Sequence, residues 1–165
     1  MVVFLEEKGR DERIFYDGHY NGIFSFYMRA RDPEFKRGVI RGDKLLYPSA
    51  IDPGWYLTER VSSPAEVVSI LQKECGCRWM AVERRIDLGT EHIRAPQYLR
   101  KAVTGPEFKL MKSFPVHVVM RIDGTPDDLQ LDVYEFLAFA GVPGKYEFRM
   151  PILGQGAVIR GKPID

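Results

Sequence analysis

Short apolar runs and amphipathic stretches alternate along the chain, with turn residues between them. Val2 to Lys8 reads as the end of a helix, and Gly9 is its stop. Arg13 to Tyr16 is a strand-like run. Gly22 to Arg31 places Ile23, Phe24, Phe26, Tyr27 and Ala30 close to helical spacing, and Pro33 bars continuation. Gly38 to Ile40 reads as a second strand, reaching towards Arg41, and a long connection from Tyr47 to Arg60 follows. The clearest helix signal comes next: Ser63 suits an N-cap, Pro64 the first helical position, and Glu66 completes a capping box. Val67, Ile70 and Leu71 supply the apolar stripe, and Gly76 suits the C-cap. Arg78 to Val82 reads as a third strand ending in the charged run Glu83-Arg84-Arg85. Pro96 to Val103 is a short helix ended by Gly105-Pro106. Phe108 to Val116 and Leu129 to Phe136 alternate as strands do; Val116 to Ile122 extends the first or forms a hairpin arm, with a turn at Asp123-Gly124. Beyond Gly141, Tyr146 to Leu153 and Ala157 to Arg160 are further strand-like runs.

The first half therefore alternates helix and strand. Linkers of this size predict right-handed crossovers and a parallel sheet. The expected fold class is α/β: a Rossmann-like, mostly parallel sheet flanked by helices, with antiparallel strands added in the C-terminal half. The 165 residues fit one domain spanning 1–165, with about 136–165 a strand-rich extension.

Charge narrows the function classes. The 24 basic and 23 acidic side chains leave a net charge of +1, without the basic excess of a nucleic-acid binder, so no nucleic-acid partner is expected. No apolar run approaches the roughly 18 residues that cross a bilayer; Phe136 to Gly144 is broken by Gly141 and Pro143. With Glu6, Glu7 and Lys8 near the start, no signal-peptide core is expected there. The chain reads as a soluble one, and an opening inside a helix is expected of a domain trimmed from a longer protein. Cys75 and Cys77 flank Gly76, a spacing that strains a disulfide, so they read as small buried thiols at a helix-to-strand junction.

Both early strands end in polar residues, at Asp17-Gly18 and at Arg41-Gly42-Asp43-Lys44. Polar groups should thus converge at one sheet edge, where open α/β sheets place ligands. Asp17 or Asp43 suits a base or a sugar-hydroxyl acceptor, and Arg41 or Lys44 a phosphate partner. The alternative is a structural ion-pair network in which Asp43 accepts from Arg41, Arg29 or a helix N-terminus. His19 lies in the loop Gly18 to Gly22, whose N–H groups suit an anion but whose sequence lacks a dinucleotide or P-loop fingerprint. His92 and His117 make no metal-ligand spacing with it, and no nucleophile–histidine motif occurs. The residues call for neither a cofactor nor a metal. Trp55 and Tyr56, in the long connection, are candidates for contact with a sugar, a membrane interface or a partner domain.

Three stretches in order, YDGHYNGIFSFYMRARDP, VIRGDKLLY and SPAEVVSILQKECGCRWMAVERR, resemble the soluble C-terminal part of bacterial polytopic glycosyltransferases related to dolichyl-phosphate-mannose–protein mannosyltransferases. Asp17, Gly18, Asn21, Gly22, Phe24, Phe26, Arg29, Asp32 and Pro33 match the first motif of that family. Arg41, Gly42, Asp43 and Lys44 match the second, and Glu83 and Arg84 the third, loosely. With Asn21 and Arg29 from the first motif, the ligand-binding candidates are Asp17, His19, Asn21, Arg29, Arg41, Asp43 and Lys44. The resemblance implies a catalytic carboxylate in the membrane portion, hence no catalytic residue in this chain. It implies a polyprenyl-phosphate-sugar donor for the parent protein, and the parent's transmembrane portion or a membrane protein as partner. A sugar or lipid-phosphate ligand and the extracytoplasmic face of a bacterial membrane follow from it. Without the resemblance the location expected is cytoplasmic. The alternatives are a stand-alone enzyme or binding protein for a phosphorylated or sugar ligand, and an interaction module using Trp55 and Tyr56.

Overall fold

The computed structural model describes residues 1–9, 12–32, 34, 36–47, 49–50, 56–57, 59–85, 93–118, 127–141, 146–150 and 155–159. Of these, 49–50, 56–57, 117–118, 127–128, 146–150 and 155–159 are described by backbone alone. The elements in order are α1 (Val2–Lys8), β1 (Arg13–Asp17), α2 (Asn21–Ala30), β2 (Val39–Arg41), α3 (Gly42–Leu45), β3 (Ser49–Ala50) and β4 (Tyr56–Leu57). There follow α4 (Pro64–Ile70), a π-helical segment (Leu71–Cys75), β5 (Cys77–Glu83), α5 (Ala95–Ala102), β6 (Phe108–Val118), β7 (Asp127–Phe136), β8 (Tyr146–Met150) and β9 (Gln155–Ile159).

Local signals account for several boundaries. The Ser63 hydroxyl accepts from the Glu66 N–H at 3.2 Å, which caps α4. The Glu66 carboxylate reaches back one residue further than a capping box requires, to the Ser62 N–H at 2.6 Å. Gly76 ends the helix in the left-handed region at φ 60°. Between them the helix widens into its π-helical segment, with Leu71 and Cys75 buried. The short helix α3 was not foreseen: Gly42 to Leu45 looked like a polar strand end.

The sheet is five-stranded, in the order β2-β1-β5-β7-β6. β1 runs parallel to β2 and β5, whereas β5–β7 and β7–β6 are antiparallel. The sheet is thus evenly mixed rather than mostly parallel. Burial explains the order. β7 buries Leu129, Leu131, Val133 and Phe136 and takes an interior slot, although it follows β6 in sequence. β6 exposes Lys109, Leu110, Lys112 and Ser113 and carries Pro115, as an edge strand can. β8 and β9 pair with each other in a separate two-stranded sheet, as do β3 and β4.

Helices cover both faces. On one, Leu5 of α1 and Phe24 and Met28 of α2 pack on Ile14, Tyr16, Trp79, Ala81, Leu131 and Val133. On the other, Val67 and Leu71, Ala95, Leu99 and Ala102 pack on Phe15, Ile40, Met80 and Val82. Each fully buried Leu or Phe contributes about 1.5–3 kcal/mol. Alternation along β1 and β5 therefore sends neighbouring residues to opposite helical layers, and this decides where the polar strand ends go. No helix among the described residues is long and apolar enough to cross a membrane. Pro33 and Asp123-Gly124 lie outside the described residues.

Candidate functional site

The connections leaving β1 and β5 diverge. α2 follows β1 on one face, and α5 follows β5 on the other. The carboxyl ends of these two strands therefore flank a topological switch point, the usual ligand crevice of such sheets. They end in Asp17 and Glu83, which are 2% and 1% exposed.

Asp17 faces the layer of α3 to α5. The Tyr47 hydroxyl donates to its Oδ1 at 2.7 Å, and Arg100 Nη1 donates to its Oδ2. Arg100 also donates to the carbonyls of Glu83 at 3.1 Å, Pro96 at 3.2 Å and Arg85 at 3.3 Å. One guanidinium thereby ties β1, the end of β5 and α5 together. Gly42 completes the enclosure, because a Cβ there would run into the Asp17 carboxylate. Burial, and then the Asp17 charge, push the Tyr47 hydroxyl far above its ordinary pKa, so it stays a donor. Asp17 is an internal anchor with both oxygens occupied.

Glu83 faces the layer of α1 and α2. Its Oε2 accepts from the His19 N–H at 2.8 Å. Its Oε1 has no hydrogen-bond partner, and the nearest cation, Arg85 Nε, stands 3.9 Å away. Burial raises its pKa; the His19 N–H and the charges of Arg85 and Arg100 oppose this without overcoming it. A Cβ at Gly18 would lie 2.8 Å from the Tyr16 hydroxyl and 3.0 Å from Glu83 Oε2, so glycine lets the loop pass close to both. Glu83 lines a cavity of about 290 Å³, floored by Val116, Leu129 and Leu131 and walled by Tyr20, Ile23, Phe24 and Tyr27. Met1 and Val2 at the start of α1 complete the lining, which is almost wholly apolar.

The remaining candidates fall into separate places. Arg41 donates to both oxygens of Asp43, at 2.9 and 2.7 Å, and Lys44 Nζ lies 3.6 Å from the same carboxylate. His19 is exposed, its ring packed edge-on to Tyr20 at 4.8 Å. Asn21 opens α2 and has a buried Oδ1 without a hydrogen-bond partner. Arg29 sits in the last turn of α2, about 12 Å further along the helix axis. The fold thus brings Asp17, His19 and Asn21 to one end of β1 and α2, and holds Arg41, Asp43 and Lys44 in a charge cluster of their own. Asp32 holds the loop after α2 by accepting from the N–H groups of Lys36 and Arg37, at 3.0 and 2.7 Å. Trp55 and the Tyr56 side chain lie outside the described residues.

Sequence reasoning missed Tyr47, Arg100 and Glu83 as members of these sites. Glu83 read only as the start of the charged run that ends the third strand, and it is buried. The usable signal was alternation: Trp79, Ala81 and Glu83 share one face of β5, so Glu83 had to follow two core residues inward. Arg84 points the other way and makes a bidentate pair with Asp132, at 2.9 and 2.8 Å. Both cysteines are buried, and burial first of all pushes the Cys77 thiol well above its ordinary pKa, which makes it unreactive. No cluster of three or more metal-ligating side chains occurs among the described residues. Comparison with protein-family models, with curated proteins and with solved structures found no match.

Proposed function

We propose that this chain is a non-catalytic domain of a membrane glycosyltransferase that uses a polyprenyl-phosphate-linked sugar donor. In this reading it lies on the extracytoplasmic face, docks on the membrane surface beside the transmembrane portion, and helps position donor or acceptor. The parallel half, β2-β1-β5, is read as Rossmann-like in origin.

The observation that carries the reading is the outer face of α2. Phe24 and Met28 point into the core, but Ile23, Phe26 and Tyr27 are 55%, 67% and 55% exposed. Val3 of α1 is 50% exposed, and α1 packs against α2. The aromatic-rich helix is also the longest stretch of the first family-like motif. A helix that seats one face and leaves aromatic residues uncovered on the other suits an interfacial contact.

The test is flotation of the purified chain with anionic vesicles containing a polyprenyl phosphate, followed by assay of the same mixture for sugar transfer. The expected result is co-flotation that F26S/Y27S abolishes, with no transfer. Equal recovery of wild type and variant in the vesicle-free fraction, or robust transfer by the isolated chain, overturns the proposal.

A further inference from the structure

Phe4 and Lys8 stand one turn apart on α1, and Lys112 and Phe114 share one face of β6. The Phe4 and Phe114 rings meet at 5.7 Å. Lys8 Nζ lies 6.0 Å from the centre of the Phe4 ring. Lys112 Nζ lies 5.8 Å from the same ring and 5.2 Å from that of Phe114. Both lysines are exposed. Among the described residues, Lys36 and Lys44 sit beside carboxylates, whereas Lys8 and Lys112 meet aromatic rings instead. Repulsion alone would splay two long cationic side chains apart. The ring between them holds them to one spot, and a cation over a π-face keeps its charge and its outward N–H donors.

Phe4 and Phe114 belong to the layer of α1 and α2, so the lysine pair lies on the same side of the sheet as the exposed Val3, Ile23, Phe26 and Tyr27. Of the acidic residues of α1, Glu6 is tied to Arg31 at 2.7 Å, and Glu7 is exposed. α2 carries no acidic residue. An acidic protein would answer the lysines and leave Phe26 and Tyr27 in water. A neutral bilayer would cover the aromatic residues and leave the lysines without counter-charge. Aromatic groups beside ammonium groups complement a surface that is apolar within and anionic at its boundary. We propose that this face selects anionic phospholipids, with Lys8 and Lys112 at Phe4 as the contact for the negative headgroup and Ile23, Phe26 and Tyr27 at the acyl boundary. This rests on the membrane-docking reading above, and adds to it the charge of the lipid and the side of the domain that meets it.

The experiment measures partition of the full chain onto vesicles of phosphatidylcholine alone and of phosphatidylcholine mixed with phosphatidylglycerol, at low and at high salt. One lysine near an anionic surface contributes about fivefold in affinity. The mixed vesicles should therefore bind about 25-fold more tightly at low salt, and the preference should shrink as salt screens the charges. K8Q/K112Q should remove most of the preference and leave the weaker binding to phosphatidylcholine unchanged, and K8R/K112R should keep it. Lys73 in the π-helical segment and Lys101 on α5 are exposed on the opposite layer. K73Q/K101Q alters the net charge equally and should keep the preference. F26S/Y27S should weaken binding to both kinds of vesicle. Equal affinity for the two vesicles, an unchanged preference in K8Q/K112Q, or an equal loss in K73Q/K101Q overturns this inference and leaves the membrane reading standing. Failure to bind either kind of vesicle overturns both.

Discussion

Asp17 and Glu83 end neighbouring parallel strands and are equally buried, yet their environments are opposite. Asp17 meets a guanidinium, a phenol and a glycine that closes over it. Glu83 meets one backbone N–H on Oε2 and, on Oε1, only the Arg85 guanidinium at 3.9 Å, beside a mostly apolar cavity. The strand pleat causes the difference. Asp17 follows Phe15 towards the layer that carries Arg100, and Glu83 follows Ala81 towards the layer of α1 and α2. Asp17 has both oxygens hydrogen-bonded, whereas Glu83 keeps one buried oxygen without a hydrogen bond, 3.9 Å from Arg85 Nε.

The strongest way to break this comparison is to remove Arg100. R100M leaves the buried Asp17 carboxyl with only Tyr47 to answer it, and should destabilise the fold by about 3–5 kcal/mol in urea unfolding. A loss below about 1 kcal/mol would mean that Asp17 is solvated and no anchor. Next is G42A, whose added methyl meets a carboxylate that cannot yield because Tyr47 and Arg100 hold it; the expected loss is about 1–3 kcal/mol.

Glu83 should behave with the opposite sign. Its folded pKa lies above its unfolded one, so between the two the folded state binds more protons and stability falls as pH rises. E83Q should abolish that fall and be more stable than wild type at neutral pH, as thermal melts from pH 4 to pH 8 would register. An unchanged pH profile in E83Q would show that the Glu83 carboxyl is hydrated. Asp132 supplies the internal contrast. Burial opposes its ionisation, but hydrogen bonds from Arg84, Ser113 and Tyr134 outweigh burial and hold its pKa below the ordinary value. Its contribution is present above the unfolded carboxylate pKa and is lost as pH falls through the folded one, so D132N should flatten the acid limb of the same melts. The smallest effect belongs to D43N. Arg41, its main partner, has a 40% exposed side chain, and Asp43 itself is 23% exposed. Partly solvated pairs of this kind contribute about 0–1 kcal/mol, so a loss well above that in urea unfolding would assign the cluster a larger role.

Much of the local structure was legible. Gly9, Ser63-Pro64, Gly76 and Gly105-Pro106 mark helix ends where the chain has them, because caps and stops act within a few residues. The helix–strand alternation of the first half appears with α3, β3 and β4 added between β2 and α4. The candidate edge was legible in part: the Arg41–Asp43 pair was one of the alternatives open in the sequence, whereas Arg100 stands 83 positions from Asp17. Phe24 and Phe26 read alike at helical spacing, yet Phe24 is buried and Phe26 is 67% exposed, since spacing identifies a helix without saying which side another layer covers. The parallel character of the sheet was overread because β7 enters between β5 and β6, a choice made by relative burial of strands far apart in the chain.

Periodicity, caps and glycines act over a turn or a strand, so the residues alone dictated where helices and strands form and that the early strands end in charge. Which charges are sealed and which is left with a spare oxygen depended on pairings across the sheet and on the helix laid over each face. Those are long-range contacts, decided by the competition of whole apolar surfaces for burial rather than by any local preference.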